Sequence, residues 1–119
     1  MADAAFTVIT PNITSVTQTI AMQEAATYNL VPIAAQMMTL VVIANSDSVS
    51  HTVTFASQNG ALDDVVVTVP ATTTVITGSW APGRWADPLN ATLANVCKVT
   101  YDNSADLSLC VLHVPAASL

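Results

Sequence analysis

The sequence predicts an all-β chain, a single-domain antiparallel β-sandwich, jelly-roll-like, with about eight short strands. Three observations carry that expectation. Apolar and polar residues alternate with the side-chain period of a strand in several separate runs, most plainly His51-Thr52-Val53-Thr54-Phe55 and Val65-Val66-Val67-Thr68-Val69. Turn-forming residues interrupt these runs at spacings of about 8–12 residues, as in sandwiches and small barrels. Good helix formers gather in one place only, Ala21 to Ala26, enough for about one turn. At 119 residues the chain suits one domain with a core that needs no staples.

Taken in order, Ala5 to Thr10 alternates weakly up to Pro11-Asn12, which predicts a short first strand or an ordered arm. Ile13 to Ile20 has helix-like apolar spacing, but its Thr and Ser content favours extended backbone. Residues 1–26 are thus expected as an N-terminal strand or arm region that assembly could order, ahead of a sandwich body over 27–119. Thr27 to Ile33 reads as a strand. Met38 to Ala44 reads as a buried strand closed by the turn Asn45-Ser46-Asp47-Ser48, whose side chains can bond their own backbone. Val49 to Ala56 places Val49, His51, Val53 and Phe55 on one face, and Gln58-Asn59-Gly60 ends it. Val65 to Val69 stops at Pro70, which cannot donate to a ladder. Thr73 to Thr77 resumes in β-branched residues and Gly78 ends them, so Val65–Gly78 is expected to be a central hairpin. A Trp80–Trp85 loop and a turn at Asp87–Asn90 lead to two final strands, 93–101 and 106–114.

Those last strands are expected to pair about a polar turn, and their register decides the fate of the two cysteines. Centring the turn between Asn103 and Ser104 sets Cys97 opposite Cys110. Centring it on Ser104 pairs Cys97 with Val111, Val99 with Leu109 and Tyr101 with Leu107, and sends Lys98, Thr100 and Ser108 to the other face. A one-residue slip inverts every side chain, so the cleaner segregation is preferred. Both cysteines are then free thiols, as in a reducing compartment.

Composition excludes several functions. Charged residues are 8% of the chain against roughly 25% in ordinary soluble domains, so membrane insertion has to be considered. Leu30 to Ala44 is the longest apolar region, but Pro32, Gln36 and Thr39 break it, and it is shorter than the roughly 20 residues of a spanning helix. Two Trp, two Tyr and two Phe are too few for the girdles of an outer-membrane barrel. Asp3 stands where a signal peptide would be basic. A soluble protein made in the cytoplasm is expected, with no membrane partner. The net charge of −6, with Arg84 and Lys98 as the only basic side chains, argues against nucleic acid.

No catalytic apparatus is legible. His51 and His113 lie in strand interiors without a motif joining them to a nucleophile or a metal, so a hydrogen-bonded structural role is expected for His51. Asp63 and Asp64 could join Asp47 or Asn59 around calcium, but the loop spacing is missing. As a glycosidase pair, Asp63 and Asp64 would point to opposite faces of a strand. No metal, no cofactor and no enzymatic activity are expected. The candidate protein-interface residues are Trp80, Arg84 and Trp85. Three readings of that loop stay open: a plug for the sandwich end, a contact between proteins, or a sugar-stacking site.

From about Leu40 to Val114 an ordered series of motifs can be followed: LVVIAN, HTVTF, DDVVVTVPA, a Thr-rich strand, APGRW and KVTYDNSADLSLCVL. In that order they resemble the auxiliary capsid proteins, also called decoration or cement proteins, of tailed bacteriophages. The N-terminal third falls outside the likeness. The resemblance implies a non-enzymatic structural virion protein, made in the host bacterial cytoplasm and bound to the outside of the capsid. It would bridge subunits of the major capsid protein and associate with itself, a homotrimer being favoured. The alternative is a carbohydrate- or host-binding β-sandwich module using Trp80 and Trp85.

Overall fold

The computed structural model describes residues 4–6, 8, 9, 22–33, 37–57, 63–78, 80, 82–86 and 95–115. In chain order these form β1 (Ala4–Ala5), β2 (Val8–Ile9), β3 (Gln23–Glu24), β4 (Tyr28–Pro32), β5 (Met37–Asn45), β6 (His51–Phe55), β7 (Val65–Val69) and β8 (Thr74–Gly78). One helical turn, α1 (Pro82–Trp85), precedes β9 (Val96–Tyr101) and β10 (Leu107–Pro115). The chain is all-β, and its strands build a sandwich of two sheets. The first sheet runs β1-β4-β9-β6-β7 and the second β2-β10-β5-β8, with β3 also pairing β10. Pairing is antiparallel apart from β1 on β4 and β2 on β10, which are parallel.

Alternation decides which side chains enter the core. His51, Val53 and Phe55 of β6 are buried while Thr52 and Thr54 are only half-buried. In β5 the buried set is Thr39, Val41, Ile43 and Asn45. Across from them, Leu109 pairs with Ile43 and Val111 with Val41, so the longest ladder is apolar in the middle of its inner face, with Asn45 at one end and the Thr39–His113 pair at the other. The two sheets close on Val31, Val53, Phe55, Val69, Cys97 and Val99 from one side, and on Val41, Ile43, Leu107, Leu109 and Val111 from the other. Phe6, between β1 and β2, is buried in the same core, its N–H bonded to the Leu30 carbonyl at 3.1 Å.

Several sequence-based expectations need correction. Val65–Gly78 is not a hairpin: β7 pairs with β6 in the first sheet and β8 with β5 in the second. Residues 70–73 form an arch between layers. Asn45 fixes its path by donating from Nδ2 to the carbonyls of Val49, Val69 and Pro70 at 2.9, 3.1 and 3.3 Å. The arch backbone adds Thr72 N–H to Asp47 O and Asn45 N–H to Thr73 O, both 3.0 Å. The C-terminal strands do not pair with each other either, since β9 lies between β4 and β6 whereas β10 joins β5. The expected division of side chains still holds: Cys97, Val99, Leu107, Leu109 and Val111 are buried, and Lys98 and Thr100 are exposed. The inward residues meet across the layers instead of side by side on one sheet.

Two further differences are local. Gln23–Glu24 is a strand on β10, opposite Leu109 and Ser108, where a helical turn was expected from Ala21 to Ala26. So short a run cannot nucleate a helix alone, and a ladder edge is available to it. Val49 is 55% exposed because the strand begins only at His51, after the turn held by Asn45. The expectations for Ile13–Ile20, Gln58–Gly60 and Asp87–Asn90 lie outside the described residues.

Candidate functional site

The loop singled out in the sequence folds into the core. Gly78 ends β8 at φ 136°, and a Cβ there would sit 2.7 Å from the Thr39 carbonyl oxygen, so glycine alone fits without strain. The chain then brings Trp80 N–H onto that same Thr39 carbonyl at 3.0 Å. The Trp80 ring stacks on Phe55 with centroids 4.0 Å apart and planes 17° from parallel. Trp85, delivered by the turn α1, meets Trp80 edge-on at 4.8 Å and 90°. Stacked and edge-to-face pairs are the favoured aromatic geometries. The indole Nε1–H of Trp80 donates to Thr77 Oγ1 at 3.3 Å.

Both rings are only 6% exposed, which makes them core in this chain. Arg84 covers Trp85 from outside, its guanidinium carbon 4.5 Å from the ring centroid, and donates from Nη2 to the Asp63 carbonyl at 2.8 Å. Trp80, Arg84 and Trp85 therefore do come together, as a lidded plug. A sugar stacks on an open ring face, and neither indole offers one.

A second cluster is one that sequence reasoning did not assemble. His51, first residue of β6 and 5% exposed, lies between two carboxylates. Its Nε2 is 2.8 Å from Asp47 Oδ2, in the turn before the strand. Its Nδ1 is 3.1 Å from Asp102 Oδ1, just past β9. Ionised carboxylates only accept, so this pair of acceptors favours the imidazolium, in which both ring nitrogens donate. The Asp47 hydrogen bond, aided by Asp102, holds the His51 pKa above its ordinary value despite burial. Asp47 is correspondingly lowered, chiefly by the His51 hydrogen bond. Burial works to raise Asp102, but backbone hydrogen bonds from Thr52 and Asn103, with His51, bring it down overall. In its imidazolium form the ring bridges Asp47 and Asp102 and clamps one end of the sandwich. The i, i+4 spacing of Asp47 and His51 was the available signal; Asp102, far away in sequence, gave none.

The other candidate groups are also held in place. His113 Nε2 donates to the Pro32 carbonyl at 2.7 Å, tying β10 of one sheet to β4 of the other. Asp64 Oδ1 accepts from Ser57 N–H at 2.8 Å, while Asp47 is committed to His51. Among the described residues no group of three or more His, Cys, Asp or Glu could hold a metal ion. Both cysteines are free and buried. Burial pushes the Cys97 thiol to about 12 and raises that of Cys110, so neither is thiolate at neutral pH. A cleft of about 370 Å³ opens beside the clamp, lined in part by Glu24, Ser46, Asn103, Ser104, Asp106 and Ser108. It holds two carboxylates and no aromatic ring. No helix among the described residues is long and apolar enough to cross a membrane.

What the described surface does offer is uncharged apolar area. Val49, Val66 and Ile76 are 55%, 59% and 62% exposed, and Met38 and Met22 are also exposed. Compared with known proteins, the chain matches no family model, no curated protein and no solved structure.

Proposed function

We propose that this chain is a structural virion protein that decorates the capsid of a tailed phage. It binds the outside of the shell, bridges subunits of the major capsid protein and contacts further copies of itself. The observation that carries the reading is the surface. Scattered apolar residues are ordinary on any protein, but here Val49, Val66 and Ile76 are each more than half exposed in a chain with 8% charged residues. Interface cores are depleted in charge in the same way. The motif order from Leu40 to Val114 supports the same reading. A rigid two-layer body suits a clip whose work is contact. A protein that binds the assembled lattice and not its separated subunits stabilises that lattice by mass action.

The test uses shells of the phage whose genome carries this sequence, stripped of accessory proteins. The purified chain is expected to co-sediment with them at a saturable stoichiometry and to raise the temperature at which they break open. A chain left at the top of the gradient at every concentration rules the proposal out. Quenching of Trp fluorescence by an oligosaccharide, without shell binding, would point to the carbohydrate-binding alternative.

A further inference from the structure

The two lateral sides of the sandwich are finished differently. On one side the chain's own N-terminal segment lies along the edges: β1 runs beside β4, and β2 beside β10. On the other side the sheets end in β7 and β8, and no described strand pairs with the outer edge of either. Free edges are usually blunted by charge, proline or a bulge, because an unpaired row of N–H and C=O groups templates another strand. β7, VVVTV, has none of these within it. Its alternate residues Val65, Val67 and Val69 face the core, and Val66 and Thr68 face solvent. β8 is less suited to accept a strand, since it ends in Gly78 at φ 136°.

We infer that β7 is a strand-pairing site for a second copy of this chain, the two β7 strands running antiparallel about a two-fold axis at Val67. The alternation of β7 matches itself about Val67, which fits a second copy, and charge selects the direction. Copies that each carry −6 repel overall, and β7 is a stretch that adds no charge to that repulsion. The register that pairs all five residues sets Val65 opposite Val69, Val66 opposite Thr68 and Val67 opposite its own copy. Asp64 then falls opposite Pro70, and Asp63 opposite Ala71. A parallel in-register pairing would instead set each aspartate against its twin, and like charges directly opposite are destabilising. In the antiparallel register, inward residues meet inward residues, so the core side of the first sheet continues from one copy to the next. Val66, 59% exposed in the single chain, becomes covered by its cross-strand neighbours. The contact is isologous and closes on itself, giving a pair and not a fibre. It does not build the trimer implied by the resemblance, which would need a separate, heterologous surface. It shares the exposed Val66 with the capsid reading but concerns the free protein, so it is tested apart from that reading.

The experiment is sedimentation equilibrium of the full chain and two double variants. The wild type is expected to be a reversible dimer. Val66→Lys/Thr68→Lys puts two like-charge pairs across the axis and should weaken association about tenfold or more. Val66→Lys/Thr68→Glu puts Lys against Glu twice and should dimerise about as well as wild type, now weakening with added salt. Both positions are exposed, and far-UV circular dichroism checks that each variant keeps its sheet. A wild type that stays monomeric at about 1 mM overturns the inference, as does equal behaviour of the two variants. Shell binding is measured separately, so failure here and failure of the capsid proposal are told apart.

Discussion

Replacing Trp80 by alanine tests whether the aromatic plug holds the fold together. The indole is 6% exposed, stacks on Phe55 at 4.0 Å, meets Trp85 edge-on at 4.8 Å and donates to Thr77. Truncating a buried tryptophan costs about 3–5 kcal/mol. The upper part of that range is expected, since two aromatic contacts worth about 0.5–1.5 kcal/mol each beyond burial are lost together. Against a total stability of about 5–15 kcal/mol, the variant should be close to unfolding. Trp80→Phe keeps a ring on Phe55 and loses the indole hydrogen bond, so a smaller loss of about 1–2 kcal/mol is expected. The assay is urea denaturation followed by far-UV circular dichroism, with an unchanged slope required for the comparison. If Trp80→Ala unfolds within about 1 kcal/mol of wild type, the ring is not core and the reasoning fails.

The clamp at His51 predicts a pH dependence. Because the His51 pKa is raised in the fold, its contribution is complete below 6.5 and is lost as pH rises through the folded value. Because Asp47 and Asp102 are lowered, theirs is complete above 3.8 and is lost as pH falls through their folded values. The clamp therefore stabilises most between pH 3.8 and 6.5, and His51→Gln should remove the alkaline decline in the urea midpoint. Identical pH profiles for variant and wild type would show that the clamp is not coupled to folding. Asn45→Ala removes the Nδ2 donor shared among the Val49, Val69 and Pro70 carbonyls and the Oδ1 acceptor of Asp47 N–H and should cost about 3 kcal/mol in the same urea assay; a wild-type midpoint would mean the arch is held otherwise.

Much of the sandwich was legible because alternation fixes which side of a strand is apolar. Val65, Val67 and Val69 turn inward as read, and so do His51, Val53 and Phe55. The partner of each strand was not legible. A hairpin and an arch present the same period-two pattern, since in both the inward residues meet apolar neighbours. That is why Pro70-Ala71-Thr72 read as a hairpin turn, and why 93–101 and 106–114 read as paired. What separates the two cases is a distant side chain, Asn45, reaching the carbonyls of Val69 and Pro70. The clamp was hidden for the same reason, as Asp102 joins His51 only through the order of β6 and β9. The aromatic loop was found from composition alone, but only its burial against Phe55 fixes what the rings do.

The order of the strands also governs when the protein can fold. Among the longer strands only β6 and β7 are paired neighbours in the sequence; β9 must insert between β4 and β6, and β10 must join β5. Each of those pairings closes a long loop before any ladder bond repays it, which places the chain among slow folders, on a scale of roughly milliseconds to seconds. Neither sheet can be completed during synthesis before β9 and β10 have emerged. Until then the early β6–β7 hairpin has its apolar face open, the kind of surface through which unfinished chains aggregate.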